Sequence, residues 1–117
     1  MAAPNIVNVT TITGKTAVQA VGTSATAIVS NAPGSNTVLK VNALYVANVD
    51  GTNNADITVD LFRSSTAYRI ANTVVVPADA VLDVISKSFY LEEGDSLRLT
   101  ANAAGDLEAV CSYEVIS

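Results

Sequence analysis

The sequence predicts an all-β fold, an antiparallel β-sandwich of jelly-roll or immunoglobulin-like type with roughly eight to ten short strands. Three observations lead there. Apolar residues recur with a period of two, as where Leu97, Leu99 and Ala101 alternate with Ser96, Arg98 and Thr100. Clusters of Gly, Pro, Asn, Asp and Ser punctuate the chain about every 8–12 residues. No stretch carries a helical period; the best candidate, Ala78 to Asp83, is too short and runs into β-branched residues.

In chain order, Met1–Asn5 with Pro4 reads as an arm. Ile6 to Ile12 is β-branched and Thr-rich, and Gly14-Lys15 interrupts it. Residues 1–14 are therefore expected as an N-terminal arm or edge strand, and 15–117 as a single β-sandwich domain. Thr16 to Val21 and Ala25 to Ser30 flank Gly22-Thr23-Ser24 as short strands. The cluster Asn31-Ala32-Pro33-Gly34-Ser35-Asn36 is the clearest turn. Thr37 to Asn48 is then a long strand whose apolar phase slips from Leu39 and Val41 to Leu44 and Val46, which predicts a β-bulge. Asp50 to Asn54 forms a loop, and Ile57, Val59 and Leu61 face the core against Asp56, Thr58, Asp60 and Phe62. Arg63 to Thr66 turns the chain into Tyr68-Arg69-Ile70 and Val74-Val75-Val76, which Pro77 ends. Val81 to Ile85 and Phe89 to Leu91 follow. The turn at Glu92-Glu93-Gly94-Asp95 then leads to a closing hairpin around Asn102 to Asp106.

Composition narrows function mainly by exclusion. One domain of 117 residues buries enough surface for a core. Only 15% of residues are charged, against about 25% in ordinary soluble domains. A surface this poor in charge belongs either to a small neutral domain or to one covered by other subunits. No Asp or Glu precedes Asp50, and the first 49 residues carry only Lys15 and Lys40. That part is a candidate contact surface, unless its strands are simply central in a sheet. With a net charge of −5 and unclustered Lys and Arg, neither nucleic acid nor an anionic membrane is an expected partner. The start shows no secretory signal, and no apolar run approaches the ~20 residues that span a bilayer. The single Cys111 occupies a core phase, pointing to folding in a reducing cytoplasm.

Catalysis is not expected. The chain has no His and no Trp, so Ser–His–Asp and Cys–His chemistry lack a base, and transition-metal sites lack ligands. Thr13-Gly14-Lys15-Thr16 spells the end of a phosphate loop, but Val9 stands where its first Gly belongs and a strand follows it. Asn8-Val9-Thr10 is a glycosylation triplet without an export route to use it. Glu92, Glu93 and Asp95 are expected as solvated turn residues. They and the Asp50, Asn53, Asn54, Asp56 stretch offer hard oxygens but not the spacing of a calcium loop. No cofactor and no metal is expected. The six aromatics lie one or two per strand, which favours core or rim packing over a sugar platform. Phe62 shares the polar phase of its strand and is a candidate interface anchor. Ile6, Val7, Val9 and Ile12 are candidates for pairing with a neighbour's sheet edge.

From about Val38 to Ile116 the chain resembles small virion proteins of tailed bacteriophages. The residues that carry the resemblance are Val41 to Asn48 entering a Gly/Asn hairpin, Ile57-Thr58-Val59-Asp60-Leu61, Val76-Pro77 to Ile85, Leu91 to Arg98, and the final hairpin. It implies a non-enzymatic β-sandwich of the virion, assembled in the host cytoplasm. In that role it is a capsid decoration or cement protein, a homo-oligomer bound to the major capsid protein or other virion proteins. A tail, connector or fibre component is the alternative within that class, and a carbohydrate-binding surface module the alternative outside it.

Overall fold

A computed structural model describes residues 4–117; the expected arm residues Met1–Ala3 lie outside the described residues. Nine strands follow one another, and no helix occurs among the described residues: β1 (Ile12–Ala20), β2 (Thr26–Ser30), β3 (Val38–Asn48), β4 (Ala55–Arg63), β5 (Thr66–Val76), β6 (Val81–Asp83), β7 (Phe89–Leu91), β8 (Ser96–Ala101) and β9 (Leu107–Ile116). They form two antiparallel sheets. The first runs β1-β9-β3 with β6 and β7 sharing the far edge of β3, and the second runs β2-β8-β4-β5. Counting β6 and β7 as one broken row gives eight rows in two interleaved Greek keys, which is jelly-roll and not immunoglobulin topology. The body measures 49 × 26 × 19 Å.

The core lies between the sheets and is built by the inward phase of each strand. Leu107, Ala109 and Cys111 of β9 meet Leu44 and Val46 of β3 on one side, and Ile57, Val59, Leu97 and Leu99 supply the other. The phase slip expected in β3 is present: its register against β9 shifts between Val41 and Ala43, leaving Asn42 as the extra residue. The bulge puts Val41 and Leu44, three apart, on the same inner face, and both are fully buried.

Two local expectations are corrected. Gly14-Lys15 does not interrupt a strand; β1 runs straight through it, paired with β9 from Ile12↔Ile116 to Ala20↔Glu108. Gly14 stands on an exposed edge strand with nothing within 4 Å of where a Cβ would be, so little packing is lost there. Residues 6–8 are turn and bend, not strand, with Asn5 accepting bonds from the amides of Val7 and Asn8. The run from Tyr68 to Val76 lies in one strand that ends before Pro77, as expected, and it stays continuous through register shifts opposite Ile57–Asp60. The β4–β5 hairpin turns on Ser64 and Ser65, both at positive φ, the conformation of a two-residue primed turn.

Candidate functional site

The two outer faces of the sandwich differ in chemistry, and the difference follows from register. On the first sheet, pairing aligns Val18 of β1, Val110 of β9 and Tyr45 of β3 in one row across three strands, ending at Asp83. The adjacent row is Ala20, Glu108, Ala47 and Val81. Val18 is 76% exposed, Val81 64%, Tyr45 45% and Val110 40%. Cross-strand neighbours lie about 5 Å apart, so these side chains make a continuous apolar stripe. Glu108, Glu114, Asp83 and Lys40 flank it.

At the other end of the same face Val38 and Ile116 are buried although they lie outside the inter-sheet core. The N-terminal segment is beside them. Pro4 and Ile6 line a depression with Val38, Tyr90 and Glu92, and the amides of Thr10 and Thr11 donate to the Ser117 carbonyl at 2.7 and 3.0 Å. The segment thus rests on its own sheet. Of the candidate interface residues there, Ile6, Val7 and Ile12 are exposed and Val9 is half-buried. Val7, at 90% exposure, makes almost no contact with its own chain.

On the outer face of the second sheet the ground around Asp60 is covered by its own charges. Asp60 points outward, as its phase requires, yet is 0% exposed. The Arg98 Nε donates to its Oδ1 at 2.9 Å and an Arg69 Nη to its Oδ2 at 3.4 Å. The Arg98 guanidinium also lies 3.9 Å over the Phe62 ring. Phe62, expected to be exposed, is half-buried beneath a cation.

Of the three turn acids, Glu92 is exposed as expected and Glu93 half-buried, but Asp95 is not solvated. Asp95 is 1% exposed. Arg63 grips both its oxygens through Nε and an Nη at 2.8 and 2.6 Å, and the Glu92 amide donates to it at 2.8 Å. Burial pushes its pKa up, but these bonds outweigh that and hold it below the usual carboxylate range. Glu92 accepts from Arg63 and Glu93 from the Asn36 amide, so the three acids do not converge on a common point. Buried Asn31 locks the facing loop. It donates to the carbonyls of Thr37 and Leu91 and accepts from the hydroxyls of Ser35 and Thr37. At the opposite end Asp50 accepts from the amides of Thr52 and Asn53 and from the Asn53 side chain, which presents N–H and not oxygen. The hydrogen bond from the Thr52 amide, followed by those from the Asn53 side chain and amide, holds the Asp50 pKa low, while burial and the Asp50 charge raise that of Asp106.

The stripe escaped the sequence reading, though its signal is there. Val18, Tyr45 and Val110 occupy the outward phase of strands whose inward phase is already apolar. Only the register of non-consecutive strands brings the three together.

The fold defines a jelly-roll β-sandwich with one apolar outer face. No family model and no curated protein matches the sequence. Among solved structures it is similar to one described as "Bacillus endospore appendages form a novel family of disulfide-linked pili", with 17% identity, a TM-score of 0.52, and coverage of 92% of this chain and 88% of that one. At that identity the likeness is one of fold. Disulfide linkage does not carry over to these 117 residues, since Cys111 is their single cysteine and is fully buried.

Proposed function

We propose that this chain is a non-enzymatic structural subunit that works by assembling with further copies of itself through the outer face of its first sheet. The observation that carries this is the exposed row Val18–Val110–Tyr45 with Val81 beside it. A monomer gains nothing by leaving such a row in water, while burying it gains about 25 cal/mol per Å². Two of the three strands, β1 and β3, come from the charge-poor first 49 residues, where charge depletion favours a dry contact. Ile6 and Val7 extend the surface at one end, so the N-terminal segment is a rim of the contact. Within this class a capsid decoration or cement protein of a tailed phage, docking on the capsid shell, is the reading favoured by the strand and turn segments that resemble virion proteins. Jelly rolls serve as capsid domains in general. A filament subunit is the second reading, favoured by the similarity to a pilus structure.

The test is electron microscopy of the purified protein alone and after mixing with undecorated phage heads. Closed oligomers that saturate the heads are the expected result. Filaments from the protein alone favour the second reading, and dispersed monomers in both samples overturn both.

A further inference from the structure

Three of the four edges of the two sheets are blunted in ways that keep an edge from recruiting further strands. β2 is short, and its register shifts between Ala27 and Val29. β5 shifts twice against β4 and carries Thr73 at positive φ. β6 and β7 are short pieces separated by residues 84–88, which leave the ladder. The edge at β1 has no such protection. It runs from Ile12 to Ala20 without a register shift or a proline, and Lys15 is its one charge.

The pairing on one side of β1 defines what the other side offers. Thr11 and Ser117 exchange both amide bonds, and the Val21 amide donates to the Leu107 carbonyl at 2.9 Å. With an unbroken register between these points, the odd-numbered residues bond to β9. Gly14, Thr16, Val18 and Ala20 therefore turn N–H and C=O to the open side, where no strand pairs with them among the described residues. Gln19 adds a side-chain deficit at the same edge. Its Nε2 donates to the Ala27 carbonyl at 3.1 Å, while its Oε1 is buried with no hydrogen-bond partner among the described residues. Lys15 is exposed and makes no ion pair among the described residues.

We propose that two copies join their first sheets by antiparallel pairing of β1 with β1 about a two-fold axis at Ala17, an inference that rests on the self-assembly proposed above. The strand is complementary to itself in this register, and that selects a second copy as the occupant. Gly14 stands opposite Ala20 and Thr16 opposite Val18, each pair formed twice, so the open backbone groups between Gly14 and Ala20 are all used. Lys15 stands opposite Gln19, again twice, so each cation faces an amide short of a donor and not its own twin. An axis at Lys15 sets the two cations face to face, and an axis at Thr16 leaves them diagonal neighbours. On the outer face the Val18 side chains of the two copies become diagonal neighbours, which carries the apolar stripe across the axis. One strand pair alone falls short of the about 800 Å² per partner that a stable interface buries. The edge therefore pairs only between copies that the outer face already gathers.

Hydrogen exchange, read amide by amide, tests this on the assembled wild type against the Val110→Lys monomer. The amides of Gly14, Thr16, Val18 and Ala20 are expected to slow at least about tenfold in the assembly. The odd-numbered β1 amides are protected in both samples. Cross-linking checks the register: in a Cys111→Ala background, Ala17→Cys is expected to link copies on mild oxidation and Thr13→Cys is not. Thr16→Pro removes an N–H that its own chain leaves unused, so added to Val110→Lys it leaves the thermal midpoint unchanged, and in the wild type it weakens assembly about tenfold. Even-numbered amides that exchange equally fast in both samples, or Ala17→Cys that fails to link copies, overturn the edge pairing while the outer-face contact stands. A wild type that stays monomeric at every concentration overturns both.

Discussion

Asp95 shows how much one side chain settles. It is the buried end of an ion pair whose other end, Arg63, is 42% exposed. Removing the carboxylate therefore costs less than breaking a fully buried pair; about 2 kcal/mol is expected for Asp95→Asn, measured by urea unfolding at pH 7. The sign of the pH effect follows from its lowered pKa. Stability from Asp95 is present above the unfolded value, near 3.8, and is lost as pH falls through the folded one. The acid limb of the wild-type stability curve is accordingly steeper than that of Asp95→Asn. Asn31→Ala strands the carbonyls of Thr37 and Leu91 and costs about 2 kcal/mol in the same assay. Phe62→Ser removes a ring beneath Arg98. It costs about 1 kcal/mol and leaves the oligomeric state unchanged, because this face is already satisfied by its own charges.

Strands and their register decide which surfaces remain for others. Val110→Lys places a cation between Glu108 and Glu114 on the exposed face of β9. It changes stability by no more than about 0.5 kcal/mol, yet it disrupts assembly, as light scattering will show. The period-two pattern made the strand positions, the β3 bulge and the burial of Cys111 legible, because each depends only on a residue and its near neighbours. It failed where a distant partner decides. Gly14 is held in β1 by pairing along all of β9, and Asp60 is sealed by Arg98 of β8 and Arg69 of β5. The charge-poor early segment divides for the same reason: β3 is interior to its sheet, whereas β1 and β2 are edges. Alternation tells which side of a strand a residue takes, but not which strand lies next to it.

At the scale of the whole molecule, an acidic body with one apolar face and one self-neutralised face is suited to directional association. Covalent linkage is not needed. Burial pushes the Cys111 thiol up to about 11, so the folded protein is expected to resist thiol reagents at pH 8 and its assemblies to survive reductant. On the proposed reading the Val18–Val110–Tyr45 face joins copies of the chain. Sedimentation velocity of the wild type and of Val110→Lys, over a range of concentrations, measures this most directly. The wild type is predicted to sediment as an oligomer and Val110→Lys as a 12.0 kDa monomer. A wild type that stays monomeric at every concentration, or a variant that assembles equally well, would contradict it.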